Sequence, residues 1–299
     1  MCGIVGLFLK DASLEPELGA MLAGMLGVMC DRGPDSAGFA VYGAGETGQL
    51  KLTLRGPAGT VFSGLQSALD EAAGARVAIV ARDTHAVITI PATREFAIRT
   101  ALAQIAPDIT VVGVGARMEL YKEVGLPSDV AIRFGLDRMA GTHGIGHTRM
   151  ATESAVTTDG AHPFSTGTDQ CLVHNGSLSN HASLRRDLVR EGLSFSTDND
   201  SEVAAAYLTS RMREGDSLGE ALEHSLKDLD GFYTFVVGTE TGFGVLRDPI
   251  ACKPAVMAET DRYVAFGSEY RALAGLPDIE HARIWEPEPA RVYFWDRAA

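Results

Sequence analysis

The chain has 299 residues, 45% of them hydrophobic, and a formal net charge of −13. That length supports a core hiding roughly three-quarters of the unfolded surface, in one large domain or two modest ones. The acidic balance argues against nucleic-acid and anionic-membrane surfaces, the spacing of Cys2, Cys30, Cys171 and Cys252 against a zinc site or disulfide framework, and no apolar run reaches membrane-spanning length.

In chain order, the first feature is Cys2 directly after Met1. An initiator methionine is usually removed before so small a residue. A cysteine at a free N-terminus pairs a thiol of pKa about 8.5 with an α-amine of about 7.7–8.0, so nucleophile and base share one residue. Taken alone, Cys2 reads first as a small apolar residue opening a strand. Residues 4–9 predict a buried strand, and Lys10-Asp11 end that run too soon for a signal peptide. Ser13 is the expected cap of a helix in which Leu14, Leu18, Met21, Leu22, Met25, Leu26 and Met29 recur at helical spacing. Its broad apolar face calls for a sheet beneath it and makes the methionines core filling. A turn-rich run over 31–38 leads into a strand at 39–42, and 49–55 alternates like the second arm of a hairpin.

Residues from about 57 to 140 predict a separate small α/β unit. Helices are expected at 63–73, 91–105 and 127–139, with strands at 77–81, 86–90, 109–114 and 118–123. No catalytic constellation stands out there, and a scaffold or docking role is expected. Beyond Gly144 a strand precedes a polar loop, and a short strand at 170–174 is expected to stop at Asn175-Gly176, a dipeptide that favours a tight turn with positive φ. Helices are expected at 181–190 and 201–213, and Ser217-x-x-Glu220 is a capping box for another. The remainder predicts strands at 232–237, 244–247, 255–257, 263–266 and 291–295. His147, His162 and His174 read as hydrogen-bonded structural histidines, and Cys30, Cys171 and Cys252 as small buried residues.

The segments Cys2-Gly3-Ile4-Val5-Gly6, Arg32-Gly33-Pro34-Asp35-Ser36-Ala37-Gly38, Gly146-His147-Thr148-Arg149, His174-Asn175-Gly176 and Asp200-Ser201-Glu202-Val203, in that order, resemble the class II glutamine amidotransferases. The resemblance covers 2–56 and about 141–299. It implies an α+β fold, the four-layer αββα sandwich of N-terminal-nucleophile hydrolases, here spanning 2–299 and interrupted by the insertion at 57–140. With Tyr121-Lys122-Glu123-Val124-Gly125-Leu126-Pro127 and Met150-Ala151-Thr152-Glu153-Ser154, the chain is similar to the stand-alone amidotransferase subunits related to glutamate synthase, that of N-methylglutamate synthase among them.

The resemblance also implies roles. Cys2 would attack the side-chain amide of glutamine and form a γ-glutamyl thioester. The Asn175 side-chain amide and the Gly176 backbone N–H would form the oxyanion hole. Arg149 would hold the substrate α-carboxylate through two parallel hydrogen bonds, with Thr152 adding a hydroxyl. Asp200 would receive the α-ammonium, although it also sits where a helix N-cap is expected, and Asp198 competes for that role. Arg32 would order the N-terminal strand or pair with Asp31 or Asp35. Met150 and Glu153 depart from the pattern of compact amidotransferases, which often carry an aromatic residue and a histidine at those places. The implied activity is cytoplasmic glutamine hydrolysis feeding ammonia to a synthase-type partner that holds flavin and iron–sulfur clusters. This chain shows no phosphate loop, Rossmann fingerprint or cysteine cluster of its own. Two alternatives stay open: exchange of ammonia for methylamine on glutamate, and a non-catalytic structural or regulatory subunit if Met1 is retained.

Overall fold

The structure is a computed structural model that describes residues 2–150 and 155–297. It opens with strand β1 (Gly3–Leu9), buried along its whole length. A 3₁₀ turn over Ala12–Glu17 follows, capped by Asp11 in place of the expected Ser13. The aspartate side chain at the corner accepts the Ser13 N–H at 2.9 Å. Next come α1 (Leu18–Gly27), β2 (Ser36–Tyr42), β3 (Gln49–Arg55), α2 (Gln66–Ala73), β4 (Ala78–Arg82), β5 (His85–Pro91), α3 (Glu95–Ile105) and β6 (Thr110–Gly115). The middle of the chain holds β7 (Met118–Val124), α4 (Pro127–Phe134), β8 (His143–Arg149), β9 (Phe164–Gly167), β10 (Gln170–Leu178), α5 (His181–Arg190), α6 (Asp200–Arg213) and α7 (Leu218–Asp228). It closes with β11 (Gly231–Gly238), β12 (Gly242–Arg247), β13 (Val256–Glu259), β14 (Tyr263–Gly267), β15 (Arg283–Trp285) and β16 (Val292–Asp296). The Ser217–Glu220 capping box forms as expected at the start of α7.

Two sheets make the centre. One has the order β15-β13-β14-β1-β8-β2-β7, the other β16-β12-β11-β10-β9. Because side chains alternate across a strand, each sheet presents two apolar faces. Ile4, Phe8, Ile145 and Phe266 of the first sheet meet Cys171, Val173, Val236 and Phe243 of the second. On its other face the first sheet packs Leu7, Phe39 and Tyr121 against α1 and α4. The second sheet does the same with Leu172, Phe235 and Leu246 against α5–α7. The layers therefore run α, β, β, α, as the sequence implied. Cys171 lies inside this core, whereas Cys252 is exposed, contrary to expectation. It sits in the link between β12 and β13, where no sheet covers it.

The separate unit is bounded differently from the expected 57–140. Tyr42 of β2 pairs with Met118 of β7, so the chain leaves the large sheet at one and returns at the other. Between them, β4-β5-β3-β6 form an independent sheet covered by α2 and α3, with Leu52, Ile88, Ile98 and Leu102 in its core. Strand β3 thus belongs to the excursion, while β7 and α4 belong to the sandwich. Alternation along a strand reports one buried face but not which sheet supplies it, and that is why the boundary was displaced.

Gly6, at the middle of β1, marks where the two central sheets touch. A Cβ there would lie 2.8 Å from Phe243 Cζ and 3.1 Å from Val236 Cγ1. Phe243 is fully buried and cannot swing away. Gly6→Val should therefore wedge the sheets apart and cost about 2–3 kcal/mol in urea unfolding. A stability equal to that of the parent chain would contradict this packing.

Candidate functional site

The start of β1 lies beside the end of β8, with Gly3 opposite Thr148. Strand β10 of the second sheet reaches the same place. Three elements therefore converge on Cys2. Its backbone carbonyl accepts from Arg32 Nε at 3.1 Å and from Asn175 Nδ2 at 3.3 Å. Its half-buried thiol lies 4.0 Å from the Met150 carbonyl. An amide –NH₂ has two hydrogens, so Asn175 keeps one for another acceptor.

Arg32 is fixed in turn by Glu269, whose Oε1 lies 2.5 Å from its Nη1. This replaces the expected pairing with Asp31 or Asp35; Asp31 meets Arg271 instead. The reason is direction, since the Arg32 side chain runs inward toward Cys2 and is buried. The hydrogen bond from Arg32 holds the Glu269 carboxyl below its ordinary range. Next to Glu269, Ser268 Oγ accepts the Ile4 N–H at 2.9 Å and the Ser268 N–H donates to the Ile4 carbonyl at 2.9 Å. The first residues are thus held from both sides.

Asn175-Gly176 does not form the expected turn. Strand β10 continues through it to Leu178, pairing Asn175 with Thr234 and Gly176 with Tyr233 of β11. Local preference for a turn is overridden by a neighbouring strand of matching length. Gly176 still has a positive φ, 155°, and a Cβ there would lie 2.0 Å from the Phe232 carbonyl oxygen. Only glycine fits.

Beside this convergence lies an open cleft of about 870 Å³, lined by Arg149, Gly176, Asp198, Asp200, Phe232 and Lys253 among others. Arg149 ends β8, is buried, and donates from Nη1 to the Ala155 carbonyl at 3.3 Å. Asp200 is the first residue of α6, and Asn199, not Asp200, caps that helix by accepting the Ser201 N–H. Asp200 Oδ2 instead accepts the Leu178 N–H at 2.8 Å, joining α6 to the end of β10. A guanidinium and two carboxylates in one cleft match the charges of an α-amino acid. Thr152 and Glu153 lie outside the described residues.

Beneath the cleft, histidines form a hydrogen-bonded stack. His147 donates from Nε2 to the His174 carbonyl at 3.0 Å, and His162 Nε2 and His174 Nδ1 approach Ser201 Oγ at 2.9 and 2.8 Å. The rings of His147 and His162 stack at 4.0 Å. Burial pushes His147 down to about 3, drives His162 well below its ordinary value and lowers His174. Neutral histidines suit a structural role here.

Several contributors could not be given an individual role from the chain order. Glu202, buried at the start of α6, accepts the backbone N–H and hydroxyl of both Ser196 and Thr197, at 2.7 to 2.9 Å. It shapes the segment that carries Asp198. Lys253 Nζ lies 5.1 Å from the centre of the Phe232 ring. The chain order says nothing of what Glu202, Lys253 and Glu269 touch.

Known proteins resemble this chain in sequence and in fold. A model described as a glutamine amidotransferase domain matches residues 147–275. The glutamine amidotransferase-like protein GlxB of Rhizobium meliloti (strain 1021) is 65% identical over 99% of this chain and 98% of its own length. A putative glutamine amidotransferase of Methanothermobacter thermautotrophicus is 34% identical over 98% of this chain and 99% of its own. The glutamine phosphoribosylpyrophosphate amidotransferase of B. subtilis superposes with a TM-score of 0.62 at 20% identity, over 99% of this chain and 48% of that one. An allosteric regulatory enzyme of purine biosynthesis gives 0.64 at 20% identity, over 99% and 47%. The chain spans about half the length of those two structures, which share its fold.

The buried histidines predict acid sensitivity. A histidine held near 3 when folded and near 6.5 when unfolded binds its proton more readily in the unfolded chain. Stability is therefore complete above pH 6.5 and is lost as pH falls toward 3. His147 alone should make the chain about 2 kcal/mol less stable at pH 5 than at pH 7.5. Urea unfolding at the two pH values checks this, and equal stabilities would contradict it.

Proposed function

Because the chain belongs to the class II glutamine amidotransferase family, we propose that it is a glutaminase whose nucleophile is Cys2, freed as the N-terminal residue by removal of Met1. The observation that carries this reading is the double grip of Arg32 and Asn175 on the Cys2 carbonyl beside a cleft with amino-acid charge complementarity. Arg149 receives the α-carboxylate of glutamine, and Asp200 with Asp198 receives the α-ammonium. Thr152 is assigned to the carboxylate side of the pocket.

The α-amine of Cys2 takes the thiol proton, and the thiolate attacks the side-chain carbonyl carbon. The second hydrogen of the Asn175 amide and the Gly176 N–H stabilise the oxyanion. As the C–N bond breaks, the ammonium returns its proton to the departing nitrogen, which leaves as ammonia. Water then attacks the γ-glutamyl thioester, giving glutamate and restoring the thiol.

The ammonia is assigned to a synthase-type partner carrying the flavin and iron–sulfur clusters, in a hetero-oligomer. The excursion between Tyr42 and Met118 is the proposed docking unit; Phe96 and Val61 on it are 84% and 71% exposed. Joining Tyr42 to Met118 by a short turn should leave the sandwich folded but abolish co-purification, and retained co-purification would reject that surface. Among the described residues no helix is long and apolar enough to cross a membrane; the cytoplasm is the proposed location. Exchange of methylamine for ammonia on glutamate, as in N-methylglutamate synthase, is a second reading. It rests on the resemblance of the runs at 121–127 and 150–154 and would use the same cleft.

Ammonia release from glutamine tests the chemistry. Cys2→Ala should reduce it to background, Asn175→Ala should lower kcat by about 10²–10³-fold, and Arg149→Lys should raise KM roughly tenfold by losing the paired hydrogen bonds. Full activity in Cys2→Ala would reject the nucleophile. A free Cys2 with no activity, alone or with synthase subunits, would favour a structural or regulatory subunit.

A further inference from the structure

One wall of the cleft is held from behind by buried charges. Ala155, Thr157 and Gly160 line the cleft, and a Cβ on Gly160 would lie 3.4 Å from Arg149 Nη1, so this segment backs the guanidinium directly. Behind it stand consecutive residues of β7. Lys122 Nζ donates to the Asp159 and Ala161 carbonyls at 3.0 and 2.9 Å. Glu123 Oε1 accepts from Thr158 Oγ1, and Glu123 Oε2 accepts from Thr84 Oγ1 at 3.1 Å.

Thr84 is not part of the sandwich. It sits in the turn between β4 and β5, and its carbonyl accepts the Gly56 N–H at the end of β3. A second contact runs from the excursion to the same wall, Arg55 Nη1 to Asp159 Oδ1 at 2.9 Å. That pair is largely exposed on the Asp159 side, at 58%, and so is the weaker tie. The Thr84–Glu123–Thr158 chain is the stronger one: all three residues are buried. Burial pushes the Glu123 carboxyl up, but hydrogen bonds from Thr158, the Val124 N–H and Thr84 outweigh it and hold the group below its ordinary range. A buried carboxylate that depends on those donors cannot lose one without rearranging.

We infer that Thr84 and Glu123 are positioning residues through which the excursion sets the 157–161 wall of the cleft, and with it the grip of Arg149 on an α-amino acid substrate. The inference rests on the reading of the cleft as the glutamine site. It also gives the excursion a role inside this chain, distinct from docking. Neither residue touches substrate, so the link acts on substrate affinity and leaves the thiol chemistry alone.

The test uses the full chain with Thr84→Val, which keeps volume and removes the donor, and Thr84→Ser, which keeps the hydroxyl. Arg55→Gln is the second variant, at a partly exposed position that does not threaten the fold. Thr84→Val should raise KM for glutamine about tenfold with kcat within twofold, and Thr84→Ser should restore it. Arg55→Gln should raise KM by a smaller factor, about threefold. Amide hydrogen exchange supplies a readout independent of activity: Thr84→Val should accelerate exchange over 155–161 at least tenfold while β1 and β8 keep their protection. Faster exchange in a chain that releases no ammonia would support the link and reject the glutaminase reading. An active chain in which the folded variants change neither KM nor exchange over 155–161 would overturn the link, as would a fall in kcat at constant KM.

Discussion

The backbone carbonyl of Cys2 is the point on which the rest of the structure turns. It accepts from Arg32, which follows α1, and from Asn175 on a strand of the other sheet. A residue next to a chain terminus normally frays, because few contacts restrain it. Here the two donors fix its carbonyl, while Ser268 fixes Ile4 two residues on. Both central sheets must be in register for those donors to arrive together. The sandwich therefore holds the backbone of Cys2 still, and under the proposed function that is the positioning acyl transfer requires of its nucleophile.

Charge is distributed to the same end. The molecule is strongly acidic, yet the cations near the site are each committed to a partner or to the cleft. Arg32 is neutralised by Glu269, Lys122 holds carbonyls, and Arg149 lines the cleft. The histidines are kept neutral by burial and contribute hydrogen bonds without charge. Burying Lys122 is costly enough that its ammonium is pushed down to about 8. Such a group persists where its hydrogen bonds fix geometry that an apolar side chain could not.

Much of this was legible in the sequence. Helical spacing from Leu14 to Met29 announced α1 and the sheet beneath it, and Ser217 with Glu220 announced α7. These signals are local, arising from periods and caps that a single element carries in itself. The resemblance carried by the motifs of Cys2, Arg32, Arg149, Asn175 and Asp200 pointed to residues that the structure gathers at the Cys2 carbonyl and along the neighbouring cleft. The signals that failed depended on partners far along the chain. Asn175-Gly176 has the local chemistry of a turn, but β11 extends the strand past it. Lys122 and Glu123 are expected only as part of a strand at 118–123, and it is the fold that brings Thr84 and Thr158 to Glu123. Glu202 gathers donors from six residues back, and Glu269 meets Arg32 across 237 positions. Pairings of that range leave no period to read.

The central claim is that Cys2 is a positioned N-terminal nucleophile. The most direct test is mass mapping of the purified chain after exposure to an electrophilic glutamine analogue carrying a diazoketone in place of the amide. The account predicts loss of Met1 and a single adduct on Cys2, suppressed by excess glutamine and formed roughly tenfold more slowly in Arg149→Lys at a low analogue concentration. An adduct on the exposed Cys252 in place of Cys2, or an unmodified N-terminal peptide that retains Met1, would contradict it.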